Sequence, residues 1–121
     1  DLSGLSIKDG SGLSRKNAVS ASHFCQLLKE IYKNDIYLDF KGSLSVAGDK
    51  GTLKYVCRNQ QGANRIYAKS GTLSNVKAYS GYVRTVSGKN LAFAVIANNF
   101  NCSKSQIVKK MERIFNAMAG Y

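Results

Sequence analysis

Residues 64–98 read NRIYAKSGTLSNVKAYSGYVRTVSGKNLAFAVIAN, and this stretch decides the fold. Asn64 to Lys69 alternates around Ile66 and Ala68, the period-2 pattern of a strand with one wet face. Ala78 to Val86 carries Tyr79, Tyr82 and Val83, bulky side chains that suit a pleated surface. Leu91 to Asn98 is a nearly continuous apolar run, as in a strand buried on both faces. Between the last two, Ser87-Gly88-Lys89-Asn90 predicts a short hairpin with Gly88 at its first central position. Three consecutive strands joined by short turns form an antiparallel sheet.

Helices flank this core. Upstream, Phe24, Leu27, Leu28, Ile31 and Tyr32 recur at helical spacing behind Ser20, a good N-cap, which predicts a helix from Ala21 to Lys33. Downstream, Ser103 and Gln106 form a capping-box pair. Ile107, Val108, Met111, Ile114, Phe115 and Met118 then make one apolar stripe, and Gly120 is the expected stop. The segment from Lys41 to Ala63 is punctuated by Gly42, Gly48, Gly51 and Gly62 and is expected to be irregular. The predicted class is α+β: an antiparallel sheet of three strands flanked by helices.

The 121 residues allow one compact domain with a single core. No apolar run approaches the roughly 18 residues that a membrane span requires. Asp1 to Leu5 lacks the basic and apolar regions of a signal peptide. Lys and Arg number 18 against 7 Asp and Glu, a formal charge of +11. Such an excess suits polyanionic partners, but it is spread from Lys8 to Arg113, and its densest cluster is only Lys109, Lys110 and Arg113. A nucleic-acid binder gathers its charge beside stacking aromatics, so no nucleic-acid partner is expected. Cys25, Cys57 and Cys102 are too widely spaced for a metal knuckle or a redox pair, and Cys25 reads as a buried free thiol in a helix. His23 has no second histidine or acidic pair nearby, so no metal site is expected. The carboxylates Asp9, Glu30, Asp35, Asp39, Asp49 and Glu112 show no pairing for two-carboxylate chemistry.

What remains is Lys69-Ser70-Gly71-Thr72. On an edge strand, the ammonium of Lys69 supplies charge, the Ser70 hydroxyl a directed hydrogen bond, and Gly71 room for a ligand against the backbone. Alone, the tripeptide also fits a polar turn at a strand end. It is preceded, however, by Asp9-Gly10-Ser11-Gly12-Leu13-Ser14-Arg15 and by Leu44-Ser45-Val46-Ala47-Gly48-Asp49-Lys50-Gly51-Thr52-Leu53. With Tyr79-Ser80-Gly81-Tyr82-Val83 behind it, this ordered series resembles the carboxy-terminal half of the D-alanyl-D-alanine carboxypeptidase/endopeptidase family of class C low-molecular-mass penicillin-binding proteins. Ser45 stands where the family usually has Pro, and it is expected to touch no proposed catalytic group.

The resemblance implies a transpeptidase-like, β-lactamase-like fold and a serine acyl-transfer mechanism with no metal or organic cofactor. The wider penicillin-recognising group carries Ser-x-x-Lys, Ser-Asp-Asn and Lys-Thr-Gly, and Lys69-Ser70-Gly71 matches the third. By that match, Lys69 and Ser70 bind the terminal carboxylate of a peptidoglycan stem peptide ending in D-Ala-D-Ala, or the corresponding group of an inhibitory β-lactam. Gly71 permits close approach, and the Thr72 N–H supplies half an oxyanion hole, so Lys69 and Thr72 are the catalytic candidates and all four residues are substrate-binding candidates. No Ser-x-Asn occurs, and the one Ser-x-x-Lys, Ser74 to Lys77, falls in a turn rather than at a helix start. The nucleophile is therefore expected in an amino-terminal part of the domain that residues 1–121 do not include, leaving this chain inert by itself. Its expected location is periplasmic or otherwise extracytoplasmic. The resemblance also implies that strand 91–98 pairs with that missing part, so the isolated chain is expected to self-associate through the exposed edge. The competing readings are a non-enzymatic module that holds stem peptides and a basic nucleic-acid-binding domain.

Overall fold

The computed structural model describes residues 2–121; Asp1, where the expected domain and the Asp1–Leu5 stretch begin, lies outside the described residues. Helix α1 (Ala21–Tyr32) starts where its cap requires: the Ser20 Oγ accepts from the His23 N–H at 3.2 Å, and His23 Nδ1 accepts from the Ser20 N–H at 3.2 Å. The lone histidine is thus the third-position member of a capping box, satisfying a helix end. Helix α2 (Tyr37–Ser43) leads into the two-residue strand β1 (Ser45–Val46) and a 3₁₀ turn at Gly51–Leu53. Strands β2 (Ile66–Leu73), β3 (Val76–Arg84) and β4 (Asn90–Asn98) follow, and helix α3 (Lys104–Gly120) closes the chain behind the Ser103–Gln106 capping box.

The sheet has four antiparallel strands in the order β1-β2-β3-β4, one more than the sequence pattern predicts. Two residues are too few to display an alternation, so β1 could not be recognised by period. The region 41–63 is likewise not wholly irregular, since it contains the end of α2, β1 and the 3₁₀ turn. Its remaining turns are held by α3. The Glu112 carboxylate accepts from the Cys57 N–H at 2.8 Å, and Asn116 Oδ1 accepts from the Gly62 N–H at 2.8 Å. Cys57 can therefore enter the core with its backbone N–H paired.

Side-chain alternation divides the interior. One face of the sheet sends Ile66, Ala68, Tyr79, Val83 and Phe93 against Met111, Phe115 and Ala119 of α3. The opposite face sends Tyr67, Tyr82 and Ala92 against Leu28 of α1 and Tyr37 and Phe40 of α2, where the Tyr82 hydroxyl donates to the Leu28 carbonyl at 2.7 Å. On α3 the predicted stripe packs on the core through Ile107, Val108, Met111, Phe115 and Met118, joined by Ala119, whereas Ile114 is 47% exposed. Two other expectations change. Only Phe93 of β4 is fully buried, because β4 ends the sheet order and has no neighbour on its outer side among the described residues. The β3–β4 loop is closed by Thr85 donating to the Lys89 carbonyl at 2.9 Å, which leaves three loop residues with Gly88 last, at φ 83°. A left-handed glycine in that third place is what a three-residue hairpin needs. Cys57, rather than Cys25, is the buried thiol; Cys25 and Cys102 are half-buried, and all three are free. None of the helices is long and apolar enough to cross a membrane among the described residues.

Candidate substrate strand

Strand β2 is central at its start and an edge at its end. β1 pairs with it only as far as Ala68, whereas β3 runs alongside to Leu73. The backbone alternation can be followed along it. The Arg65 carbonyl accepts from Arg84 on the β3 side at 2.9 Å, while the Ile66 carbonyl accepts from Ala47 on the β1 side at 3.0 Å. In an antiparallel ladder this alternation continues, so the main-chain groups of Ser70 and Thr72 turn away from β3. At those positions β1 has already ended. Their N–H and C=O groups therefore line an open sheet edge.

The four candidate side chains all lie at this edge, distributed over both faces. Ser70 and Thr72 share the α3 side with Ala68, and Lys69 and Gly71 occupy the other side. Lys69 is exposed and folds its ammonium onto the Ser70 carbonyl at 2.7 Å. A Cβ built on Gly71 would meet nothing closer than the Ala78 Cβ at 3.7 Å, so the fold itself does not demand glycine there. Contrast Gly81, where a Cβ would collide with the Tyr67 carbonyl oxygen and lie 2.7 Å from the Ala68 Cα. Gly81 is a packing glycine; Gly71 keeps free space over the strand.

Three residues outside the expected set, Thr52, Ser45 and Lys77, complete the surroundings. The Ser70 hydroxyl donates to Thr52 Oγ1 at 2.9 Å, and Ser45 Oγ lies 3.3 Å from that same Thr52 oxygen while accepting from the Thr52 N–H at 3.1 Å. Ser45 thus reaches Ser70, a substrate-binding candidate, through one intervening hydroxyl, and these bonds involve neither Lys69 nor Thr72. On β3, Lys77 Nζ donates to Thr72 Oγ1 at 2.8 Å and sits 4.8 Å from the centre of the Tyr79 ring. Partial burial, then the charges of Lys104 and Lys69, hold the Lys77 ammonium below its ordinary pKa. Lys77 could have been found from sequence by counting back across the two-residue turn Ser74-Asn75, which sets it opposite Thr72. Thr52 carries no such signal, since its approach depends on the 3₁₀ turn.

The other sequence candidates are structural. Ser74 occupies the hairpin turn, and the Lys77 ammonium contacts Thr72 rather than Ser74, so this Ser-x-x-Lys is not a nucleophile pair. The Asp9 carboxylate accepts from the N–H groups of Gly12 and Ser14, both at 3.1 Å, from the Ser11 hydroxyl at 3.2 Å and from the Asn17 amide at 3.0 Å. The Asn17 bond and then those of Ser11, Gly12 and Ser14 hold its carboxyl below the ordinary pKa, although partial desolvation opposes them. Ser11 and Ser14 accept from Leu13 and Lys16 N–H groups and serve the turn. Among the described residues there is no group of three or more His, Cys, Asp or Glu able to hold a metal.

The chain is similar to known proteins over most of its length. Residues 1–118 match the model of the D-Ala-D-Ala carboxypeptidase 3 (S13) family. A D-alanyl-D-alanine carboxypeptidase of an Actinomadura species is 39% identical over 103 residues, which cover 81% of this chain and 19% of that protein. The penicillin-sensitive carboxypeptidase A of Dictyostelium discoideum is 27% identical over 113 residues, 88% of this chain and 22% of that protein. The chain therefore spans only about a fifth of the length of these relatives. In fold, it superimposes on penicillin binding protein 4 from Haemophilus influenzae with a TM-score of 0.90 at 24% identity, over 98% of this chain and 28% of that one. A second structure of that protein, in complex with a β-lactam, matches with a TM-score of 0.81 at 25% identity over 93% of this chain and 28% of that one. With a four-stranded α+β layer, an open Lys-Ser-Gly-Thr strand and a family match over nearly its whole length, this chain belongs to the D-Ala-D-Ala carboxypeptidase 3 (S13) family.

Proposed function

We propose that residues 1–121 form the carboxy-terminal portion of a serine-type D-Ala-D-Ala carboxypeptidase/endopeptidase domain and supply its substrate strand. The observation that carries this reading is the open edge of β2, where Ser70 and Thr72 face outward beside the Lys69 ammonium. An extended peptide laid along that edge would add as a strand, hydrogen-bonding to the backbone. Lys69 and the Ser70 hydroxyl would hold its terminal carboxylate, and Gly71 leaves room for the chain to lie flat. The Thr72 N–H would donate to the scissile carbonyl oxygen as charge develops on it, a contribution of about 3 kcal/mol where such donors have been removed.

The bond-breaking serine and the Ser-x-Asn element lie outside these residues in this account. The serine attacks the penultimate D-Ala carbonyl, an ester forms as the C–N bond breaks, D-Ala leaves with the proton, and water hydrolyses the ester. No metal or organic cofactor is needed for these steps. A β-lactam would enter by the same strand; the structurally similar Haemophilus influenzae protein binds a β-lactam. Peptidoglycan as substrate places the protein outside the cytoplasmic membrane. The outer edge of β4 is where the remainder of the domain would pair, and in the isolated chain it is free for self-association.

The test is D-Ala release from an acyl-D-Ala-D-Ala peptide by the polypeptide that joins this chain to its amino-terminal part. Lys69→Ala is expected to lower kcat/KM by about 100-fold or more, in line with the loss of one preorganised electrostatic contact. Unchanged turnover in that variant would overturn the assignment.

A further inference from the structure

The hydroxyls of Ser70 and Thr72 share one face of β2, but their protons are used differently. Ser70 gives its proton to Thr52, so in this arrangement it offers a ligand only lone pairs. A carboxylate, which has no proton to donate, gains nothing from that oxygen until Ser70 releases Thr52. Thr72 is the reverse case. Its oxygen accepts from the Lys77 ammonium, which leaves its own O–H free to donate.

Lys77 itself lacks an anionic partner. Among the described residues the ion pair present is Lys33–Glu30, far along the chain, and the charges that reach Lys77 are the ammonium groups of Lys104 and Lys69. A half-buried lysine with no carboxylate would ordinarily swing into solvent. Here Lys77, opposite Thr72 in the β2–β3 register, is fixed by the Thr72 oxygen and by the face of Tyr79. Lys69 approaches the open edge from one face of the sheet, and the Lys77–Thr72 pair flanks it from the other. The result is positive charge on both sides of a strand edge that has no counter-charge.

From this juxtaposition the geometry points to Lys77 and the Thr72 hydroxyl as a second carboxylate anchor, opposite Lys69, for the free C-terminus of the bound peptide. This inference rests on the proposed role of the strand and extends it: Lys77 touches the ligand or polarises the Thr72 hydroxyl that does, and the pair selects a carboxylate over an uncharged end.

The test titrates the ¹⁵N-labelled 121-residue chain with N-acetyl-D-alanyl-D-alanine and with its C-terminal amide, following the amide signals of Ser70 and Thr72. The wild-type chain is expected to bind the acid more tightly than the amide. Lys77→Met keeps an apolar stem over Tyr79 and is expected to reduce that preference about fivefold or more by weakening the acid alone. Lys77→Arg should restore it, and Thr72→Val, which retains the lysine, should reduce it likewise. A purely structural lysine would leave the acid-to-amide ratio untouched. If Ser70 and Thr72 respond to the acid and the ratio survives both Lys77→Met and Thr72→Val, the second anchor is overturned while the strand assignment stands. If neither peptide moves these signals in the wild-type chain, the strand assignment itself falls, and the anchor with it.

Discussion

The Ser70 hydroxyl donates to Thr52 Oγ1 across 2.9 Å, tying the candidate substrate strand to the 3₁₀ turn at Gly51–Leu53. The Ser45 hydroxyl oxygen supports Thr52, accepting from the Thr52 N–H at 3.1 Å and lying 3.3 Å from Thr52 Oγ1. Replacing Thr52 by Val removes the acceptor while keeping the shape. The expected cost is about 1 kcal/mol in urea unfolding, the ordinary worth of one such bond, with recovery in Thr52→Ser. Equal stability of Val and Ser variants would show that the bond contributes nothing.

Gly71 and Gly81 should respond oppositely to a methyl group. Gly81→Ala drives a Cβ into the Tyr67 carbonyl and the Ala68 Cα, so the β2–β3 pairing must open; a loss of about 3 kcal/mol or more is expected. Gly71→Ala meets only Ala78 at van der Waals distance and should change stability by no more than about 0.5 kcal/mol. It should nevertheless hinder the acetylated dipeptide at the strand. Paired melting curves decide the first contrast, and a Gly71→Ala chain as unstable as Gly81→Ala would contradict it.

Asp9 makes the loop before α1 sensitive to acid. Its carboxyl is held below the ordinary value, first by the Asn17 amide and then by Ser11, Gly12 and Ser14. A depressed folded-state pKa stabilises the loop above the unfolded pKa of about 3.9, and this contribution is lost as pH falls through the folded value. Hydrogen exchange at the Gly12 and Ser14 amides should therefore stay protected through the ordinary carboxylate range and rise only below it. Asp9→Asn should remove the pH dependence. Protection that fades already above the ordinary range would contradict the assignment.

Cys57 should be the slow thiol. Burial, reinforced by the Glu112 carboxylate, pushes its pKa to about 12, which leaves very little thiolate near neutrality. Alkylation of the native chain at pH 8 should modify the half-buried Cys25 and Cys102 first and Cys57 only on unfolding. Peptide mass mapping reads the order directly, and early modification of Cys57 would refute its burial.

The parts of the fold that were readable from sequence are those whose signal is periodic or local. The α1 cap at Ser20, the α3 capping box and the three longer strands follow from patterns carried by neighbouring residues. The parts that were not readable depend on distant partners. β1 exists because Ser45 and Val46 meet Ala68 and Tyr67, and the Cys57 turn is satisfied by Glu112, 55 residues away. The apolar run in β4 predicted burial on two faces, but burial of that strand depends on a neighbour that these residues do not supply. At the site, Lys69 to Thr72 were legible as a motif, whereas Thr52 and Lys77 became visible only through the sheet register.

The central claim is that this chain holds the substrate while a serine elsewhere breaks the bond. The most direct measurement is mass-spectrometric mapping of a penicillin adduct on the longer polypeptide, alongside the isolated chain. The account predicts one adduct, on a serine outside residues 1–121, diminished by Lys69→Ala, and no adduct on the isolated chain. A stable adduct on Ser70, Ser74 or any other residue of this chain would contradict it.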